Sequence, residues 1–262
     1  MLERRVVGAL VRTAFLRSRR AGPWPTDLDH AELTIKGNAG ARLAARLFRH
    51  PRPRGLVVLA HPDRRYGQHW FVREGWVAWL LENGFESLTF DFPDYGASRG
   101  GSTFYHDDVL AAARAGLREA GGLPVHVLGI SMGAFAAANA SPSLDFVDGL
   151  VLESPYPSFA AWYGPGGKAI AQRAFERAFP RSAAQIQADR NLARCAAKRV
   201  LVVAGGADSI TPARLSRAVA EAQPRARYLE LPGLDHFEAF PKSEAYRRAV
   251  LETFGALGSG LG

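Results

Sequence analysis

The sequence is poor in several features, and each scarcity excludes a class of protein. One cysteine, Cys195, stands among 262 residues, which excludes an intramolecular disulfide and a metal cluster of cysteines. No run of 18 apolar residues occurs, so no transmembrane helix is expected. No signal peptide is evident either, because the apolar stretch 6–11 is short and Arg12 ends it. We therefore expect a cytoplasmic protein.

Lysine is also scarce, since arginine supplies 29 of the 33 basic residues. The formal net charge of +8 taken alone would suit a nucleic-acid partner. However, the first twenty residues carry six arginines and one glutamate, a net of +5, which leaves only +3 for the other 242. The body of the chain is therefore not a basic surface, and nucleic acid is not an expected partner.

Residues 1–25 predict a basic amphipathic helix followed by a linker. Leu2, Val6, Leu10 and Ala14 recur at helical spacing, and two prolines then end the pattern. Two interpretations stay open. The helix docks on the domain with a solvated arginine face, or it makes a peripheral contact with an anionic membrane.

Residues 26–255 alternate short apolar runs with helical patterns, as in a doubly wound α/β domain. The first two runs flank Gly37–Gly40 and predict an antiparallel hairpin at the sheet edge. Residues 256–262 read as a flexible tail. The runs that predict strands are 31–36, 42–48, 55–60, 87–90, 125–128, 149–152, 200–204 and 228–231. The predicted helices are 72–81, 106–120, 132–140, 168–179, 183–197, 212–222 and 243–254.

The strongest local signal is the pentapeptide Gly-Ile-Ser-Met-Gly at 129–133. It follows a predicted strand and precedes a predicted helix, the context of a nucleophile elbow. Such a turn lifts the hydroxyl of Ser131 out of the sheet and brings the N–H of Met132 and the helix start to the same place. Ser131 is therefore the candidate nucleophile, and Met132 a candidate oxyanion donor.

A base and an acid follow along the chain, each after a predicted strand. Because parallel strands end at the same edge, we expect Asp208 and His236 to share a rim with Ser131. There His236 takes the serine proton while its other ring nitrogen donates to Asp208. Two other carboxylates stay open as the acid: Glu153, which ends a strand, and Asp235, which precedes the histidine.

In these motifs the chain resembles the serine-nucleophile branch of the α/β-hydrolase superfamily, with its esterases, thioesterases and serine aminopeptidase-like enzymes. The resemblance covers about residues 31–254 and rests on GISMG, GGADSITP, GLDHF and DFPDYGAS. The last segment keeps Asp91, Gly96 and Ser98 of the usual Asp-x-Arg-Gly-x-Gly-x-Ser but lacks its arginine. The resemblance implies an eight-stranded, mostly parallel sheet and an enzyme that needs no cofactor. It would cleave a carboxylic ester, thioester or related acyl substrate through an acyl-enzyme.

One position departs from the superfamily's pattern. Members usually have His-Gly after the third strand, and the next backbone N–H helps to stabilise the oxyanion, whereas this chain has His61, Pro62 and Asp63. Proline has no N–H, so Asp63 is the candidate second donor, and His61 is expected to bond to loop backbone. This departure and the arginine-rich N-terminus keep one alternative open, a non-catalytic protein that binds a ligand, a partner or a membrane. An acyltransferase is a further alternative, since the acyl group could pass to an acceptor other than water.

Residues 155–198 form an insert where the resemblance implies a small helical cap. Aromatic side chains are frequent there and in two nearby loops, and they suit an acyl chain or an aromatic moiety. That they only pack the cap onto the sheet is equally open. No phosphate loop, dinucleotide fingerprint or metal-ligand cluster is present, so the expected partner is a small acyl substrate. The candidate substrate-binding residues are Tyr66, Trp70, Tyr156, Phe159, Trp162 and Phe237.

Overall fold

The computed structural model describes residues 24, 27–100, 105–164 and 167–256. The predicted basic helix and nearly all of the predicted tail lie outside these residues. Within them, eight strands form one sheet. The strands are β1 (Ala31–Lys36), β2 (Arg42–Phe48), β3 (Gly55–Ala60), β4 (Phe85–Phe90), β5 (Val125–Ile130), β6 (Val147–Glu153), β7 (Arg199–Gly205) and β8 (Ala226–Leu231).

The strands lie side by side in the order β1-β2-β4-β3-β5-β6-β7-β8. β1 pairs antiparallel with β2, as the predicted hairpin requires, and β2 pairs antiparallel with β4. Every other pairing is parallel. The predicted eight-stranded, mostly parallel sheet is confirmed, and the carboxyl ends of β3 to β8 all point to one edge.

The helices occupy both faces of the sheet and the insert after β6. Two helices that the sequence predicts as continuous are interrupted in the structure, so these predictions were wrong. The helix predicted at 72–81 breaks at Gly75, whose φ of 82° is left-handed, and the one predicted at 183–197 breaks at Gln187, which is extended. The short α5 and α10 were not predicted. The helices are α1 (His69–Arg73), α2 (Trp76–Glu82), α3 (Tyr105–Glu119), α4 (Met132–Ala140), α5 (Phe159–Tyr163), α6 (Gly167–Ala178), α7 (Pro180–Ala184), α8 (Ala188–Leu192), α9 (Ala213–Glu221), α10 (Ala239–Lys242) and α11 (Glu244–Thr253).

The core has two layers because successive side chains of a strand point to opposite faces. In β3, Leu56 and Val58 belong to the layer that includes side chains of α3, α4 and α9, whereas Val57 and Leu59 belong to the layer that includes side chains of α1, α2 and α11. All residues of β3, β4 and β5 are buried, as expected for strands covered on both faces. No helix in the described ranges is long and apolar enough to cross a membrane.

Candidate active site

The turn between β5 and α4 holds Ser131 in a strained conformation. Its φ of 53° and ψ of −112° lie where a residue with a side chain is rarely found. Two hydrogen bonds fix the turn: the Ser131 N–H donates to the carbonyl of Glu153 at 2.8 Å, and the Ser131 carbonyl accepts from Phe135 N–H at 2.9 Å. The Ser131 side chain remains partly exposed at the carboxyl edge of the sheet.

Glycine is required on both sides of this serine. A Cβ at Gly129 would lie 2.5 Å from the carbonyl oxygen of Gly133, and a Cβ at Gly133 would overlap the carbonyl oxygen of Ala60. The strand, the turn and the helix therefore pack at backbone contact. The first N–H groups of α4, beginning with Met132, have no acceptor within their own helix and are directed towards the serine.

His236 and Asp208 form a buried pair at the same edge. The ring Nδ1 of His236 lies 2.7 Å from Oδ2 of Asp208, and the two side chains are 2% and 0% exposed. Oδ2 also accepts the hydroxyl of Ser154 at 2.8 Å. The other oxygen, Oδ1, accepts the N–H groups of Ile210 at 2.9 Å and Thr211 at 2.6 Å. With four donors on its two oxygens, the carboxylate is fixed in one orientation.

The bond to Asp208 decides what the second ring nitrogen of His236 can do. Because Nδ1 donates to the carboxylate, Nε2 carries the lone pair. Nε2 is buried and has no hydrogen-bond partner in the described part of the chain, so it makes no such bond to Ser131 here. Bonds between nucleophile and base are often long without substrate and shorten in the complex.

The two rival carboxylates bond to other groups. Glu153 accepts the hydroxyl of Tyr246 at 2.6 Å, and its burial raises its pKa to about 7. Asp235 accepts the N–H of Ser209 at 2.8 Å and the backbone N–H of His236 at 2.7 Å. Asp235 therefore joins the loop that carries the acid to the loop that carries the base. Of the three candidate acids, Asp208 is the one bonded to the imidazole.

His61 bonds to loop backbone on both sides of its ring. Its Nε2 accepts the N–H of Phe92 at 3.1 Å, so Nδ1 carries the hydrogen and donates to the carbonyl of Pro62 at 2.8 Å. This bond orients the peptide group between Pro62 and Asp63. In a trans peptide the N–H points away from the carbonyl, so the Asp63 N–H is directed away from His61.

The side chain of Asp63 is held by a residue that the sequence patterns did not single out. The hydroxyl of Tyr95 donates to Oδ1 of Asp63 and lies 3.7 Å from the sulfur of Met132. Tyr95 is buried and follows Asp94, one of five non-glycine residues with positive φ in the described ranges. Tyr95 therefore brings the two candidate oxyanion residues to one place.

The candidate substrate-binding residues of the cap divide into two groups. Tyr156 is 4% exposed and stacks on Phe135 of α4 at 4.4 Å between ring centroids, so it fastens the cap to the domain. Phe159 and Trp162 are partly exposed. The indole N–H of Trp162 donates to the carbonyl of Ile210 at 2.9 Å, which joins the cap to the acid loop.

The other three candidates lie on the opposite side of the site. Trp70 is 7% exposed and packs in the core beside Phe237, with 5.6 Å between ring centroids. Phe237 follows the histidine directly, and its ring lies 4.0 Å from the ring of His236. Tyr66 is partly exposed and contacts arginines rather than the His236 ring.

Ser154 and Tyr246 are polar contacts that sequence reasoning missed. Ser154 follows β6 directly, so the rule that placed Glu153 at the carboxyl edge also applied to its neighbour. Tyr246 lies in α11, ninety-three positions from the glutamate it contacts, and no local pattern links them.

Known proteins resemble this chain in family and in fold. Residues 51–194 match the family described as "Serine aminopeptidase, S33", a stretch longer than half of the chain. The chain belongs to this α/β-hydrolase family. In sequence, it is 40% identical over 58 residues to the Mycobacterium tuberculosis protein BpoC, a match that spans 22% of each chain.

Solved structures show the same α/β-hydrolase fold. The Pyrococcus furiosus esterase Pf2001 superposes with a TM-score of 0.67 at 17% identity, over 90% of this chain and 98% of the esterase. Est1E of Butyrivibrio proteoclasticus, solved with ferulic acid bound, gives 0.64 at 20% identity, over 85% and 99%. BpoC gives 0.60 at 22% identity, over 82% and 96%.

Metal ligation is not supported in the described part of this hydrolase. No group of three or more histidine, cysteine, aspartate or glutamate side chains there has the arrangement to hold a metal ion. The polar groups that meet at the carboxyl edge are a hydroxyl, an imidazole and hydrogen-bonded carboxylates. That set suits proton transfer and nucleophilic attack.

Proposed function

We propose that this α/β-hydrolase cleaves a carboxylic ester, thioester or related acyl substrate through an acyl-enzyme on Ser131. The main support is the buried pair of His236 and Asp208, joined at 2.7 Å, at the same sheet edge as the strained serine. Two of the structural neighbours support an ester substrate, since one is named an esterase and the other holds ferulic acid.

The geometry suggests a role for each group in the reaction. The hydroxyl oxygen of Ser131 attacks the carbonyl carbon while Nε2 of His236 takes its proton. Asp208 orients the imidazole and stabilises its cation. The N–H groups of Met132 and Asp63 donate to the developing oxyanion. His236 then gives its proton to the leaving group, and a water molecule attacks the acyl-enzyme with His236 again as the base.

The cap favours an apolar or aromatic acyl group. Phe159 and Trp162 are only partly buried, and Phe159 lies 5.0 Å from Phe135 between ring centroids. We propose that these two rings contact the acyl group, while Tyr156 supports them from the core. Tyr66, Trp70 and Phe237 belong to the other side of the site. A small acyl substrate in the cytoplasm remains the proposed partner.

A panel of p-nitrophenyl esters of rising chain length, extended by acyl-CoAs, tests this function. We expect wild-type protein to hydrolyse members of the panel and Ser131→Ala to lose at least about a thousandfold in kcat/KM. Folded wild-type protein that hydrolyses none would favour a non-catalytic binding protein instead. Product analysis with an added alcohol separates hydrolysis from acyl transfer, since a transferase forms the new ester.

The peripheral membrane contact through residues 1–25 also stays a proposal, since this segment lies outside the described residues. Its support is the net charge of +5 on the first twenty residues. Co-sedimentation with anionic liposomes, comparing the full chain with one that begins at Ala21, tests it. Equal sedimentation of both would remove the idea.

A further inference from the structure

Three arginines beside the site lie on aromatic rings instead of carboxylates. The guanidinium carbon of Arg64 is 4.4 Å from the ring centroid of Phe237. Those of Arg73 and Arg65 are 4.5 Å and 5.4 Å from the ring centroid of Tyr66. All three belong to the segment between β3 and the end of α1. Within the ranges that the structure describes, the ion pairs found include none of these three arginines.

Three carboxylates in the segments that carry Arg64 and Phe237 bond to other donors. Asp63 accepts the hydroxyl of Tyr95. Asp235 accepts Ser209, and Glu238 forms an ion pair with a lysine of α10. The positive charge of Arg64, Arg65 and Arg73, which we call the arginine cluster, is therefore not paired with a carboxylate of the described residues.

Arg64 lies one aromatic ring away from the imidazole of His236. In acyl transfer the leaving atom receives its proton from the free nitrogen of the imidazole, so the leaving group lies beside that ring. Phe237 connects the two residues, since its ring lies 4.0 Å from the ring of His236 and carries the Arg64 guanidinium.

An arginine seated on an aromatic ring is prepared to bind an anion. The ring contact fixes the plane of the guanidinium, and the edge of that plane presents paired N–H donors. Such donors match the two oxygens of a carboxylate or a phosphate. A neutral leaving group would leave these donors unused.

We propose that the arginine cluster, with Arg64 foremost, binds a carboxylate or phosphate carried by the leaving group of the substrate. This inference rests on the proposed acyl-cleaving function and narrows its substrate class to acyl compounds with an anionic alcohol or thiol portion. Arg64 is thereby a specificity-determining residue.

One ester pair and one thioester pair, with the same acyl group within each pair, test the proposal. The esters are 4-nitrophenyl butyrate and its 3-carboxy derivative, and the thioesters are S-butyryl-pantetheine and butyryl-CoA. The carboxylate arm and the phosphate arm thus report on the two sources of the anion. Arg64→Gln is the test variant. Arg52→Gln is the matched control, because Arg52 is also exposed but precedes β3, at the opposite edge of the sheet.

We expect wild-type protein to prefer the charged member of at least one pair. Arg64→Gln should lower kcat/KM for that member about fivefold, mainly through KM, and change the neutral member less than twofold. Arg64→Lys should keep much of the preference, and about 0.5 M salt should weaken it. Arg52→Gln should behave as wild type.

Two results would overturn the proposal in distinguishable ways. In the first, the protein turns over the neutral substrates, and Arg64→Gln affects the charged and the neutral member of both pairs equally. This result would remove the anion site and leave the proposed function standing. No turnover of any of the four substrates by folded wild-type protein would remove both.

Discussion

The two edges of the parallel sheet each bury a histidine, in opposite surroundings. His236 follows β8 at the carboxyl edge and is bonded to Asp208 at 2.7 Å. His126 is the second residue of β5, near the amino edge. It is fully buried, and neither of its ring nitrogens has a hydrogen-bond partner among the described residues. Its ring lies 4.6 Å from that of Phe254 and 5.7 Å from that of Phe85.

The difference shows that burial alone does not give a histidine a charged partner. Desolvation, with a smaller contribution from the charge of Arg199, lowers the pKa of His126 to about 3, so the ring stays neutral and packs as an aromatic side chain. His236 has a carboxylate on one nitrogen, which fixes its tautomer and leaves the other nitrogen for a proton. A polar partner therefore distinguishes the histidine at the carboxyl edge, which is arranged to take up a proton, from the histidine at the amino edge, which only packs.

Replacing each histidine by alanine should give the largest difference between the two edges of the sheet. His236→Ala is expected to lower kcat/KM by about 10⁴-fold or more, because the serine loses its base. His126→Ala should leave kcat/KM of the folded fraction within a few-fold and lower the thermal midpoint instead, because it empties a packed site. Ester hydrolysis and thermal unfolding on both variants measure this. A His126→Ala variant that is stable but inactive would contradict the assignment of His126 to packing and of His236 to proton transfer.

The acid that orients His236 gives the next largest effect. Asp208→Asn should lower kcat/KM by about 10⁴-fold, because the amide favours the wrong imidazole tautomer. Asp235→Asn is the matched control. It changes the adjacent carboxylate, which contacts the backbone N–H of His236 and not its ring, so less than tenfold is expected. Equal losses of kcat/KM in the two variants would show that Asp208 is not the acid that orients His236.

The His126 ring predicts how stability depends on pH. The folded-state pKa of His126, about 3, lies below the ordinary 6.5. Between these two values the unfolded chain binds more protons than the folded chain, so stability falls as pH falls. From about pH 8 to about pH 5 the loss from this group is about 2 kcal/mol. In His126→Phe this part of the pH dependence should vanish in denaturant unfolding. An unchanged pH slope would show that the His126 ring takes up its proton at the same pH in the folded and the unfolded chain.

Glu153, at the carboxyl edge, affects the pH dependence of stability in the opposite direction to His126. Burial raises its pKa from 4.5 to about 7, so between these values the folded chain binds more protons and stability falls as pH rises. Glu153→Gln should therefore be more stable than wild type by about 3 kcal/mol near pH 8. At about pH 4 or below, where the carboxyl is mostly neutral in the folded and the unfolded chain alike, the two should nearly agree. A gain that is equal at both pH values would contradict this origin.

The sequence predicted the sheet well because each strand carries its own signal. The continuous apolar run of β3 and the alternation in β1 follow from which faces are covered, and both were placed correctly. The break at Gly75 was missed because a glycine inside an apolar periodic run does not reveal its φ. The cap was harder still, since α5 to α8 are mostly short and depend on contacts with the domain, such as Tyr156 on Phe135.

The meeting of Asp208 with His236 was predictable, since both follow parallel strands and must reach one edge. The Tyr246 bond to Glu153 was not, because it depends on how α11 packs under the sheet. The same limit applies to Arg64 on Phe237, since the two residues lie 173 positions apart and meet only in the fold.

Labelling with a fluorophosphonate, with the adduct located by peptide mass spectrometry, tests the central claim most directly. An activated serine reacts with such a probe, whereas an ordinary surface hydroxyl does not. We predict a single adduct on Ser131 in the wild-type chain, no adduct in Ser131→Ala, and much slower labelling in Asp208→Asn. Folded wild-type protein that stays unlabelled, or an adduct that persists in Ser131→Ala, would contradict the claim that Ser131, His236 and Asp208 act together.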